Sequence, residues 1–182
     1  MSEVRVWDPV VRVAHWVLVA SILAAWVTSE LKLDAAKQAH EWAGYVALAV
    51  IALRVAWGWI GPCYARFSQF VRAPAQTLAY ARAVAAFAEP RYLGHNPLGG
   101  WMVVALLVAA AAAGLSGWLS VTDRFWGVAW VQDLHDALAN ALFALVGLHV
   151  AGVVYTSLRH RENLVRAMLT GRKHALRPGD MQ

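Results

Sequence analysis

The feature that most constrains this chain is a set of four apolar runs, at about residues 10–28, 40–60, 98–121 and 134–158. Each is near the ~20 residues that a helix needs to cross a hydrocarbon core. The third run has no charged residue, the second holds Arg54 deep inside, and the fourth has Asp136 near its start. Composition agrees: 60% of the residues are hydrophobic and 15% charged, against about 25% charged in soluble domains. A soluble globular enzyme and a disordered chain are therefore both excluded. The expected fold is an all-α integral membrane protein, a four-transmembrane-helix bundle forming one domain over residues 1–182. The opening MSEVRVWDPVVR is mixed in character and no small-residue cleavage site follows it, so no cleaved signal is expected. Asp8-Pro9 suits an N-cap followed by the first helical position, which starts the first helix at Pro9.

Cationic residues set an expected orientation. Arg5 and Arg12 precede the first span; Arg66, Arg72, Arg82 and Arg91 lie between the second and third; Arg159, Arg161, Arg166, Arg172, Lys173 and Arg177 follow the fourth. The other side carries only Lys32, Lys37 and Arg124, beside Glu30, Asp34, Glu41, Asp123, Asp133 and Asp136. The positive-inside rule puts both termini in the cytoplasm. The net charge of +5 then reads as a cytoplasmic fringe facing anionic lipid, with no nucleic-acid partner implied. Trp26, Trp42, Trp57, Trp59, Trp101, Trp118, Trp126 and Trp130 fall near span ends, where aromatic belts sit. Between the second and third spans, the alanine-rich segment Pro74–Pro90 is bracketed by prolines and reads as an interfacial helix over about 74–88. Gly171 reads as a helix stop in the tail.

Cys63 is the only cysteine. That removes an intramolecular disulfide, a zinc knuckle, an iron–sulfur cluster and a covalent Cys-x-x-Cys-His haem. The chemistry falls to histidine. His15, His40, His135 and His149 lie within or at the edges of spans, where an ionisable residue is costly enough to suggest function. His135 and His149 are 14 residues apart, roughly 21 Å along one helix and within ~40° of the same face. Chain direction puts His40 and His135 at the outer level and His15 and His149 at the inner level. Two bis-histidine pairs, one above the other, are what two non-covalent b-type haems require. A zinc site would need three or four convergent ligands, and each level offers two histidines. A proton relay would need carboxylates between them at membrane depth. Gly44 and Ala47 beside His40, Ala139 and Leu142 beside His135, and Gly152 near His149 are small or apolar neighbours suited to a flat macrocycle, or to ordinary helix packing. The run AAAAAG ending at Gly114, with Gly117, reads as close packing in the histidine-free third helix. Arg54 lies 14 residues after His40. It could meet a haem propionate or snorkel to headgroups.

The segments VRVWDPVVRVAHW, HEWAGYVALAVIALRVAWGWIGP and RYLGHNPLGGWM, with the His135–His149 spacing, resemble the bacterial di-haem cytochrome b superfamily. That group includes the cytochrome b-561 proteins and the b-type subunits of nickel–iron hydrogenases and formate dehydrogenases. The resemblance covers essentially the whole chain. It implies axial ligands at His15, His40, His135 and His149, the bacterial inner membrane, and electron transfer between quinone and a periplasmic cytochrome c or dehydrogenase subunit. It also implies a quinone site near the cytoplasmic haem, with His95, Asn96 and Arg54 as candidates; for His95 and Asn96 a loop turn built on Asn-Pro-x-Gly is the competing reading. A stand-alone superoxide-to-quinone oxidoreductase is the alternative within redox chemistry. A histidine-dependent proton or metal transporter is the alternative outside it. Chains of this size often associate, so a homo-oligomer is compatible with the sequence.

Overall fold

The computed structural model describes residues 3–31 and 33–181, which leaves Lys32 of the outer charge count outside the described residues. The elements are β1 (Glu3–Arg5), α1 (Pro9–Ser29), α2 (Asp34–Ile60), a 3-10 turn (Cys63–Ala65), α3 (Phe67–Phe70), α4 (Pro74–Ala85), α5 (Pro97–Ser120), α6 (Ala129–Arg159), α7 (Leu164–Thr170) and β2 (Arg172–His174). Four of these, α1, α2, α5 and α6, are long and apolar enough to cross a membrane. Their flanks expose large apolar side chains such as Val13, Leu53, Val108 and Leu158, which suits lipid rather than water.

Local chemistry explains the helix starts. Asp8 Oδ1 accepts from the Val10 and Val11 amides at 2.9 and 3.2 Å, with Pro9 next in line. Asn96 Oδ1 accepts from the Gly99 amide at 2.7 Å ahead of α5. Each side chain satisfies donors that the first turn leaves unpaired. Two spans begin earlier than their apolar runs, at Asp34 and Ala129. Hydropathy marks lipid depth, whereas the helices continue through polar residues such as Lys37, Gln38, Gln132 and Asp133. The helix expected over 74–88 ends at Ala85, and Phe87 turns the chain with a φ of 53°.

The described residues divide into two compact units. One comprises Val13–Val55 and Ala105–Val146. Segments of α1, α2, α5 and α6 pack there around Ile51, Ala110, Ala113 and Leu142. The alanines and Gly114 let helices approach: a Cβ at Gly114 would lie 2.8 Å from Leu48.

The other unit holds residues 3–12, Ala56–Val104 and 147–181. Its apolar centre is Val6, Trp7, Leu93 and Ala167. Gly171, with a φ of 79°, ends α7 and turns the tail back; its carbonyl accepts from the Val6 and Trp7 amides at 2.8 and 3.1 Å. β2 then pairs antiparallel with β1, Val4 opposite Lys173. This small ribbon departs from an all-helical expectation, because three-residue strands are too short to show a period in sequence. Here too a buried ion network fastens the tail. Arg91 meets Glu162 at 2.7 Å and Asp180, and Lys173 Nζ lies 3.2 Å from Glu162. Burial alone would raise the Glu162 carboxyl; the Arg91 hydrogen bond, the Lys173 charge and the His174 amide outweigh it and hold it below the usual range. Asp180 is likewise held low, against burial, by the Arg177 amide and Arg91. Burial pulls the Lys173 ammonium down, with Glu162 opposing.

Seven of the belt tryptophans, Trp26, Trp42, Trp59, Trp101, Trp118, Trp126 and Trp130, are exposed. Trp57 is half-buried, and its indole N–H donates to Asp8 Oδ1 at 3.1 Å.

Candidate functional site

The second turn of α2 carries His40 and the second turn of α6 carries His135. Their rings meet with centroids 6.0 Å apart and planes at 87°. Each ring is pinned through Nδ1. His40 Nδ1 lies 2.7 Å from the Ala25 carbonyl on α1, and His135 Nδ1 lies 2.9 Å from the Ala113 carbonyl on α5. A carbonyl oxygen only accepts, so Nδ1 bears the hydrogen in both rings and the lone pair is left on Nε2. That is how a metal-binding imidazole is usually oriented. Both rings would thus offer Nε2 to a metal held at this site.

A cavity of about 270 Å³ opens beside the rings, lined among others by His40, Gly44, Gly114, Gly117, Trp118 and His135. A Cβ at Gly44 would meet nothing within 4 Å. A Cβ at Gly117 would lie 2.9 Å from His135 Cε1, so the missing side chain makes room for the ring. Among the described residues, no three His, Cys, Asp or Glu side chains gather as a metal cluster. The donor set is thus two imidazoles beside a space whose walls include three glycines, Gly44, Gly114 and Gly117. It suits a metal that brings its equatorial ligands with it, as a haem does.

Of the small neighbours expected around His40 and His135, Gly44 faces the cavity. Leu142 packs into the apolar core instead, and Ala47 is buried. His15 on α1 is half-buried and edge-on to Trp16 at 5.1 Å. His149 on α6 is half-buried as well. Arg54 is only 6% exposed. Its enclosure by protein argues against snorkelling.

The quinone candidates of the α5 approach have other roles in view. Asn96 caps α5, as the loop reading expects. The His95 ring lies between Trp7 and Phe70, each with its centroid 4.7 Å away. The residues sequence reasoning missed are those that grip the imidazoles: the Ala25 and Ala113 carbonyls, Gly117, and Ser116, whose Oγ is 3.2 Å from His135 Nδ1. Backbone carbonyls leave no trace in a sequence. Ser116 and Gly117 sat in a small-residue run that packing alone explained.

Four helices long and apolar enough to cross a membrane, two of which bring imidazoles together, are compatible with a membrane b-type cytochrome. The comparison of families makes it specific: the description of prokaryotic cytochrome b561 matches residues 6–171, and the chain belongs to that family. It is a multi-pass, haem b-binding protein of electron transfer in a bacterial membrane. No curated protein and no solved structure matches it.

Proposed function

We propose that the whole chain acts as one di-haem cytochrome b domain, carrying electrons across the inner membrane between the quinone pool and a periplasmic partner such as a cytochrome c or a dehydrogenase subunit. His40 and His135 hold the outer haem. His15 and His149 hold the inner one, a pairing that rests on residue spacing and chain direction. Both termini are cytoplasmic. The geometry of the His40–His135 pair, with both Nδ1 atoms anchored on carbonyls, is the observation that carries the reading.

His15, His40, His135 and His149 would hold haem b, which when bound would supply one-electron chemistry. The protein's own residues do the rest. The Ala25 and Ala113 carbonyls fix the tautomer that presents Nε2. Gly117 sets the seat of one ring and Gly44 leaves the space beside the other. Arg54, buried near the inner level, supplies a cation for a propionate. Exposed Glu30, Asp34, Asp123 and Asp133 give the outer face a negative field that steers a basic partner.

The test is a reduced-minus-oxidised spectrum of the purified protein with haem stoichiometry. The expected result is about two b-type haems per chain. His40→Ala and His135→Ala should each remove one spectral component, and His15→Ala and His149→Ala the other. Loss of the same component in His15→Ala and His40→Ala would overturn the pairing. A colourless native protein would favour histidine-dependent transport.

A further inference from the structure

α5 has no histidine, yet it makes the closest polar contacts of the His135 ring. Three features of one helical turn converge there. The Ala113 carbonyl is 2.9 Å from His135 Nδ1, Ser116 Oγ is 3.2 Å from the same atom, and Gly117 offers no Cβ to collide with the ring. Ser116 is 3% exposed, so its hydroxyl is shielded from bulk solvent. The hydroxyl donates to the Ala113 carbonyl at 2.9 Å. Its proton is therefore committed, and what it turns to the imidazole is an oxygen lone pair.

A buried serine bonding back to its own helix is ordinary behaviour by itself. What exceeds it is the third partner. The His135 N–H faces two acceptors, and one of those is polarised by bonding to the other, a small cooperative network in a low-dielectric setting. At His40, Nδ1 meets the Ala25 carbonyl.

We propose that Ser116 is a positioning residue of the electron-transfer site: with the Ala113 carbonyl it accepts from His135 Nδ1–H, fixes the ring, and strengthens Nε2 as a donor to iron. This rests on the reading of His135 as an axial ligand. A second acceptor pulls the N–H proton further from the ring and gives the imidazole more anionic character. A stronger donor favours ferric over ferrous iron. Adding one electron to that centre is thereby made harder, and Ser116 lowers its midpoint potential. α5 thus sets the electronic character of a centre to which it gives no ligand.

The experiment uses the intact membrane protein in detergent. Ser116→Ala should keep both spectral components. The midpoint of the component that His40→Ala removes should shift to more positive potential, with the other unmoved. Its low-spin paramagnetic resonance envelope should change, and haem dissociation should strengthen about tenfold, as is typical when a ligand's outer partner is lost. Ser116→Thr, which keeps the hydroxyl, should restore the native midpoint. Ser116→Cys, nearly isosteric with a weaker acceptor, should shift it the same way by less, and serves where the alanine variant does not accumulate. A midpoint and resonance envelope identical to native in these variants would overturn the role of Ser116 while leaving the haem reading standing. His135→Ala separates the two. If it retains both components, the ligand reading fails and this proposal falls with it.

Discussion

The two units hold the polar side chains discussed above by different means. Around Ile51 and Leu142, the rings of His40 and His135 and the Ser116 hydroxyl find their partners mostly among helix carbonyls, and one buried cation, Arg54, lies in the same unit. Around Val6 and Leu93, they are full charges, Arg91, Glu162, Lys173 and Asp180, and their partners are mostly one another. The difference follows from what each must do. A carbonyl is fixed by its helix, so it can aim an imidazole without itself bringing a full charge. An ion network can fasten segments distant in sequence, such as Arg91 to a tail 89 residues on, because charge attraction needs no shared element.

Breaking the charged side of this contrast should give the larger loss of stability. Glu162→Gln leaves Arg91 and Lys173 buried without their shared carboxylate, and removing one partner of a buried pair typically costs about 3–5 kcal/mol. Thermal unfolding should show that loss, and limited proteolysis should cut after Gly171 more readily. The haem spectrum of the His40–His135 component should stay native. If that component changes as much as the melting temperature falls, the contrast between the units is false.

Acid tests the same network less severely. The Glu162 and Asp180 carboxyls are both held below their usual values. A group depressed on folding adds stability that is present above its unfolded value, about 4 for carboxyls, and lost as pH falls through the folded value. Stability should therefore be flat through neutral pH and fall below about pH 4. In Glu162→Gln the acid loss should be shallower. Melting curves across pH in both proteins check the sign; an equal acid slope would remove Glu162 as its source.

This contrast also marks what the sequence could reveal. The four spans were legible because twenty-residue apolar runs admit one reading. The closeness of His40 and His135 was legible because chain direction assigns a level to each. Asp8 announced its cap through the proline after it, whereas Asn96, read as part of a loop turn, caps α5. Arg91 entered the sequence reading only as one of the cations between the second and third spans; that it is a buried partner of Glu162, 71 residues away, could not be read there, because no local pattern connects the two. Ser116 was hidden for a different reason. Its meaning lies in which ring it faces, and a run of alanine and glycine around it looks the same whether it packs a neighbour or seats a ligand.

The smallest effect should come at Asp8, where the two strategies meet in one side chain. Its Oδ1 accepts two backbone amides of α1 and the Trp57 indole N–H. Neutral caps work nearly as well as charged ones, so what matters here is the acceptor geometry rather than the charge. Asp8→Ala should cost about 1 kcal/mol, the usual loss for a removed cap, plus the Trp57 partner. Asp8→Asn, which keeps a carbonyl oxygen at the same reach, should stay within a few tenths of a kcal/mol of native. Melting temperatures of the two variants side by side decide the matter. If Asn falls as far as Ala, Asp8 acts through its charge, and the cap belongs with the ion network rather than with the carbonyl-anchored imidazoles.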